Sequence, residues 1–309
     1  MKYLVLILSM SILISAEMEV DGNLTVTDTI YVTTIKSSTI DSLLSLIAQL
    51  EMRIAQLETQ IQCQNNGIIP DGYCDCYGNV LDVCGECGGD AESEDECSIT
   101  DIDGNTYEIV TIGDQVWMAE NLTTSRYNDN SPIPYVSGAS DWGLLTTGAY
   151  SNYGNDPNIA NINGKLYNWF AVEDYRGICP VGWDVPNDTD FMQLEIVLGM
   201  HDEDALNTNW RGGEDDIGSM LASNSNLWDN GLLEMSESFD ESGIKVIPAG
   251  VRWDTGVFNG QLNSAYFWTS SLYNSNPYAW YRHLSYNNTA VMRTDTFAKA
   301  GMSIRCIKD

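Results

Sequence analysis

Residues 177–199 read GICPVGWDVPNDTDFMQLEIVLG, and the rest of the chain can be placed around them. Cys179 opens the stretch, Trp183 and Pro186 fix a tight approach, and Asn187 is positioned to cap a helix. Asp190, at the third helical position, makes a variant capping box, in which the cap side chain and the third residue's side chain each satisfy the other's free backbone amide. Phe191, Leu194, Val197 and Leu198 predict the buried face of this helix, and Gly199 ends it. Its natural partner is the last stretch, residues 301–309, GMSIRCIKD, which carries Cys306. Cys179 and Cys306 are the two cysteines that follow Cys97, and a bond between them would tie the middle of the C-terminal domain to its end.

Strands surround this pair. Residues 248–253, 265–271 and 280–284 are rich in Trp, Tyr and small residues and read as strands, with residues 303–307 as the closing one. Residues 217–222 read as a second short helix, and GKLYNWFAV (164–172) is apolar enough to return to the core. Upstream, DIDGNTYEIVTIGDQVWMAENL (101–122) reads as strands with turns at Asp103-Gly104 and Gly113-Asp114. Asp101, Asp103 and Asn105 look like the start of a calcium loop, but the distal Glu at the required spacing is absent, so turn chemistry is the better reading. Residues 126–162, full of Gly, Asn, Ser and Pro, read as a long loop, which inside a domain is usually functional or mobile.

Taken together, these pieces resemble the Fibrobacter succinogenes major paralogous (FISUMP) domain. The matching pieces are DGNTYEIVTIGDQVWMAENL (103–122), LYNWFAV (166–172), CPVGWDVPNDTDFMQLE (179–195), PAGVR (248–252), FWTSS (267–271), AWYRHL (279–284) and GMSIRCIKD (301–309), in family order. The resemblance implies an α+β, C-type-lectin-like head over residues 98–309. In that fold a C-P-x-G-W segment leads to a helix and a cysteine near the C-terminus closes a disulfide, the roles that Cys179 and Cys306 match. Two departures stand out. Family members are often lipoproteins, and no acylated cysteine follows the expected cleavage point here. The E-P-N, Q-P-D and W-N-D triplets of calcium-dependent lectins are missing, with Trp228-Asp229-Asn230 a scrambled near-match, so calcium-dependent sugar binding does not carry over.

The N-terminal third has a different character. Residues 1–16 read as a signal peptide, with Lys2, a mostly apolar run and a small residue at the end. Residues 17–38, rich in Val, Thr and Ile, predict a strand-rich neck too small to fold alone. Residues 39–62 predict a coiled-coil stalk. Ile40, Leu43, Ile47, Leu50, Ile54, Leu57 and Ile61 place Ile at every a and Leu at every d position, with Gln49, Glu51, Arg53, Gln56 and Glu58 on the outer faces. That seam implies association of the chain with itself, as a dimer or a trimer. Residues 63–97 hold Cys63, Cys74, Cys76, Cys84, Cys87 and Cys97 among Gly, Asp and Asn. A zinc site is the alternative, but in an exported chain six cysteines this close together predict a disulfide-rich linker, with the pairing left open. Its C-G-x-C-G-G-D run resembles short Cys/Asp repeats of secreted proteins, somewhat like thrombospondin type 3 repeats, whose aspartates bind calcium. On that resemblance Asp82 and Asp90 are the metal candidates and calcium is the one cofactor considered.

Charge narrows the partners. The chain has 14 Lys and Arg against 44 Asp and Glu, a net charge of −30. Such a surface repels nucleic acid and anionic membranes. No segment after the signal peptide has 18 consecutive apolar residues, so a secreted or cell-surface, extracellular protein without a transmembrane segment is expected. No nucleophile motif accompanies His201 or His283. The carboxylates at 202–204 and 214–216 fit a solvated face. Formylglycine-generating enzymes, which share related folds, use a reactive cysteine pair, whereas Cys179 and Cys306 look structural, so no enzyme is expected. Trp253, Trp268 and Trp280 lie in strand patterns and predict core. Trp142, Trp210 and Trp228, together with Asp229, lie among polar loop residues and are the ligand-binding candidates. The expected function is an oligomeric surface or adhesion protein whose head binds an extracellular glycan or protein. The alternative is a purely structural surface or fibre protein.

Overall fold

The computed structural model describes residues 38–309 except 67–68, 70–71, 83, 85–86, 90–91, 93–96 and 275–276. The expected signal peptide, and the expected neck up to residue 37, lie outside the described residues. The chain divides into two compact units, residues 1–80 and 81–309.

In the first unit α1 (Ser38–Asn66) is a single helix of 29 residues. It covers the heptad region and is built from strong helix formers such as Ala, Leu, Gln and Glu. Leu44, Leu46, Ile47, Leu50, Ile54, Leu57 and Ile61 are all exposed in the single chain. Cys63 and Cys76 are joined, with Cα atoms 5.4 Å apart.

In the second unit Cys84 pairs with Cys97. A meander of β1 (Ser98–Thr100), β2 (Thr106–Ile112) and β3 (Gln115–Met118) follows. Then come α2 (Ala139–Gly143), β4 (Tyr150–Ser151), α3 (Pro157–Asn163), β5 (Leu166–Asn168) and α4 (Trp169–Val172). The central part holds β6 (Trp183–Asp184), α5 (Asp188–Val197), α6 (Asp202–Ala205), β7 (Asn209–Arg211), α7 (Ile217–Leu221) and α8 (Leu232–Met235). The last part is all strand: β8 (Ala249–Arg252), β9 (Phe258–Gln261), β10 (Ser264–Leu272), β11 (Tyr278–Ser285), β12 (Asn288–Phe297), β13 (Gly301–Met302) and β14 (Ile307–Lys308). The unit is a mixture of helix and sheet.

Two sheets result. The smaller runs β1-β2-β3-β14-β6, and the larger runs β4-β5-β13-β8-β10-β11-β12-β7 with β9 beside β8. The closing segment is not one strand over 303–307, as the sequence suggests. It splits into β13, which lies between β5 and β8, and β14, which lies between β3 and β6. Residues 303–306 cross from one sheet to the other. The crossing carries Cys306, which is bonded to Cys179 with Cα atoms 5.9 Å apart, across 127 residues of chain. Both lie in a cluster with Tyr107, Met118, Tyr167, Trp183 and Ile304. Arg305, on the same crossing, is buried. Its guanidinium donates to Asn121 Oδ1 at 2.8 Å and to the carbonyls of Met118, Ile244 and Lys245, so two segments, 118–121 and 244–245, are held to the crossing by one side chain.

Helix α5 has the expected cap. Asn187 Oδ1 accepts from the Thr189 and Asp190 amides, and Asp190 Oδ2 accepts from the Asn187 amide. Its buried face differs from expectation. Phe191 and Leu194 are buried, but Val197 is 47% exposed, and the inward stripe is completed by Asp188 and Glu195. Glu195 can face inward because guanidiniums meet it there.

Residues 126–162 are not structureless either; they contain α2, β4 and α3 and are pinned by Arg252. That guanidinium donates to the carbonyls of Val136, Ser137 and Gly256 and sits over Trp142, 4.5 Å from its ring centre. Gly250, two residues earlier in the P-A-G-V-R motif, has φ +72°, and a Cβ there would meet the Asn259 carbonyl at 2.7 Å. Only glycine takes that backbone conformation without strain in so close a space.

Candidate functional site

The four strands β10, β11, β12 and β7 present two unlike faces. On the inner face Arg282 and Arg293 are register partners, and both reach α5. Arg282 donates to Glu195 Oε1 and to Asp188 Oδ1, each at 2.7 Å. Arg293 grips Asp188 with Nη2 at 2.6 Å and stacks over Trp280. Arg211, in β7, reaches Glu195 Oε2 at 2.5 Å. All five groups are buried. Burial pushes the Asp188 carboxyl up, but the Arg293 and Arg282 guanidiniums outweigh it and hold the group below its ordinary value. Burial also pulls Arg211 down to about 10, against the opposing pull of Glu195. The network clamps α5 to the sheet and fixes β7 at its edge.

On the outer face the register aligns a row of side chains. Trp210 lies opposite Met292, Met292 opposite His283, and His283 opposite Tyr266. The His283 ring stacks on Tyr266 at 4.2 Å with 5° between planes, and Trp210 tilts against His283 at 5.1 Å. Trp253 meets Tyr266 edge-on at 5.7 Å. Burial pulls His283 down to about 4, so it is neutral at pH 7, and its Nε2 has no hydrogen-bond partner among the described residues. The free end of the row is Trp210, half-buried, which opens onto a cleft of about 440 Å³. His201, Asp204, Asn207, Glu214 and Asp215 also line that cleft. An aromatic face ringed by polar side chains suits a ligand that is apolar on one side and hydroxylated or charged at its edge.

Of the sequence candidates, then, the cleft uses Trp210. Trp142 and Trp228 are corrections. Trp142 is fully buried and donates to the Lys299 carbonyl at 2.8 Å. Trp228 is 5% exposed, donates to the Ser223 carbonyl at 3.0 Å and packs with Leu233, Ile244 and Val246. Polar loop neighbours in sequence did not keep either ring at the surface. Asp229 is exposed, beside the buried Trp228 rather than near Trp210 in sequence. Trp268 is fully buried, whereas Trp253 and Trp280 are half-buried. His283, weighed in the sequence only for catalysis, and its row partners Tyr266 and Met292 are not among the ligand-binding candidates read from sequence, because only strand register brings them beside Trp210.

The remaining candidates are turn residues. Asp101 Oδ1 accepts from the amides of Asp103 and Asn105, which closes the turn read from sequence. Asp82 accepts from the Cys84 amide, and Asp90 lies outside the described residues. Among the described residues no group of three His, Cys, Asp or Glu side chains is placed to hold a metal ion. Two further clefts, of about 430 Å³ each, lie beside Arg305 and beside Asp184 and Asp309. At the latter, burial and then the Asp309 charge raise Asp184 above its ordinary value.

All eight cysteines are disulfide-bonded, and among the described residues no helix is long and apolar enough to cross a membrane. The disulfides fit an extracellular protein. No curated protein and no solved structure matches the chain. The Fibrobacter succinogenes major domain matches residues 110–308, from the second strand of the small sheet to the last strand of the chain, and the protein belongs to that family.

Proposed function

We propose that the protein is an extracellular, self-associating display protein whose C-type-lectin-like head binds a glycan at the Trp210 cleft. The observation that carries this is the aromatic row, which runs across four strands and ends on a half-buried tryptophan in a polar cleft. A sugar ring can lie its C–H face on Trp210 while its hydroxyls reach Asp204, Asn207 and Glu214. The rigid base is supplied from behind by the Asp188–Glu195–arginine clamp. The lectin-like reading of the fold is supported by the cysteine before α5, the capped helix and the disulfide to the closing segment. The protein is read as a binder rather than an enzyme, a reading supported by the oxidised state of its cysteines and the aromatic face of Trp210 at the cleft. The repeated Ile and Leu on α1 supply the association, and several heads held together strengthen a weak site by raising effective concentration.

A glycan array probed with the full secreted chain and with Trp210→Ala tests the reading. The expected result is a defined set of glycans bound by the wild type and lost in the variant, while Trp253→Ala keeps most binding. Glycan binding that survives Trp210→Ala would contradict the site. An empty array together with a protein partner captured through Trp210 would contradict the ligand class.

A further inference from the structure

We infer that the cleft beside Arg305 is a second binding site, which takes the C-terminal carboxylate of a peptide together with its aliphatic last side chain. The cleft holds about 430 Å³ and shares no lining residue with the one at Trp210. Arg305 lines it and is only 2% exposed. A guanidinium carries five N–H donors. Nε donates to Asn121 Oδ1, Nη1 to the Met118 and Ile244 carbonyls, and Nη2 to the Lys245 carbonyl. Nη2 thus has two N–H groups but makes one bond among the described residues, and every acceptor is neutral. Arg211, Arg282 and Arg293 each face a carboxylate at 2.7 Å or less. Arg305 has no carboxylate within ion-pair distance among the described residues. Arg252 also meets only carbonyls, but it is stacked over Trp142 and Phe258, 4.5 and 4.7 Å from their ring centres. Arg305 has a looser contact, 5.6 Å from the Phe267 ring centre.

Burial pulls Arg305 down to about 9, against the attraction of Glu120, so it stays charged at pH 7. A buried charge without a counter-charge is costly, and an anionic ligand group relieves that cost. Glu120 lines the same cleft, but its Oε2 is taken by the Glu108 amide at 3.0 Å. Lys245 supplies a second cation to the cleft. Its Nζ pairs with Glu108, but both side chains are exposed, so the pair is weak and can exchange for a ligand carboxylate. Next to these cations the lining turns apolar, with Ile162, Leu227 and Ile247. Ile162 and Leu227 also wall an adjoining cavity of about 110 Å³, together with Ile159, Pro248 and Leu262. Ile162 is 64% exposed, which leaves apolar surface for a ligand to cover. A carboxylate beside an aliphatic group is the chemistry of a peptide that ends in Leu, Ile or Val, and capture of C-termini is a recurring recognition mode. Asn161 and Asn224, exposed in the same cleft, offer amides to the peptide groups that precede the last residue. Lys245 and Leu262 hold left-handed φ values of 55° and 71°, backbone strain of the kind kept at ligand clamps.

Isothermal titration calorimetry of the full secreted chain tests this, with acetyl-Gly-Ser-Leu and the same tripeptide ending in Ile or Val. Saturable binding at one site is expected. The C-terminal amides of the same peptides should bind roughly tenfold more weakly. Lys245→Ala should weaken the free acids severalfold and leave the amides unchanged. Ile162→Asp, which sets a carboxylate in the apolar wall, should weaken the free acids further. Both side chains are exposed, so both variants should melt as the wild type does, whereas Arg305 is needed by the fold. Equal binding of acid and amide would overturn the role of the carboxylate. Isovalerate bound as tightly as the tripeptides would overturn the peptide in favour of a free aliphatic acid. No binding by any of the three tripeptides would overturn the site.

Discussion

Helices α1 and α5 invert each other's chemistry. Along α1 the large apolar residues are exposed, and along α5 two carboxylates are buried. Each arrangement is costly alone, and each calls for a partner. For α1 no cover is seen among the described residues, and on the proposed reading a second chain supplies it. For α5 the partners are Arg211, Arg282 and Arg293, brought from β7, β11 and β12 of the same chain. The lesson is that an apolar stripe is legible along one element, whereas a buried charge is legible only once the sheet has set its register.

The comparison can be broken from the α5 side first. Cys306→Ser opens the bond across 127 residues. The chain-entropy account gives a loss of about 5 kcal/mol, as an upper estimate. Thermal melting of the head should fall steeply while the association of α1 stays unchanged. Glu195→Ala strands the buried Arg211 guanidinium, leaves Arg282 with Asp188 alone, and should cost about 3–5 kcal/mol, read in the same melt. If it costs as little as an exposed ion pair, about 1 kcal/mol or less, the clamp is not what holds α5 to the sheet. On the other side, replacing Ile47, Leu50 and Ile54 together by polar residues should give monomers by light scattering without moving the head's melting temperature. A joint loss of both would mean that the two regions are not independent.

The smallest effect is in pH. His283 sits at about 4 in the folded head against an ordinary 6.5, because burial disfavours its charged form. Its depressed value means that stability is complete above 6.5. As the pH falls from 6.5 toward 4, the unfolded chain takes up a proton that the folded one refuses, and stability declines across that window. His283→Phe should flatten that slope. Asp188 acts in a separate window. Held below 3.8, it contributes fully above that value, and its contribution is lost as the pH falls through the lower folded value. A wild-type slope between 6.5 and 4 that persists in His283→Phe would place the titrating group elsewhere.

What the sequence made legible was local. The Asn187–Asp190 cap, the turn at Gly113-Asp114 and the helical character of α1 are short-range patterns with direct physical causes. What stayed hidden was set at long range. The ten residues of β12, NTAVMRTDTF, have no clean apolar alternation, because one face carries Arg293 to α5 and the other Met292 to the aromatic row. Trp142, Trp210 and Trp228 look alike in sequence, each among Asp, Asn, Arg or Gly. Only the packing of Arg252 over the first, and the burial of the third among Leu233 and Ile244, separate them from the one at the cleft.

That separation leads to the most direct measurement. The chain has nine tryptophans, and fluorotryptophan labelling gives each its own fluorine resonance, assigned by single substitution. Titrating the labelled full chain with a glycan scored on the array should shift the Trp210 resonance strongly and leave Trp142 and Trp228 in place. A shift centred on Trp142 or Trp228, or a bound glycan that leaves Trp210 unmoved, would contradict the assignment of the cleft as the binding site.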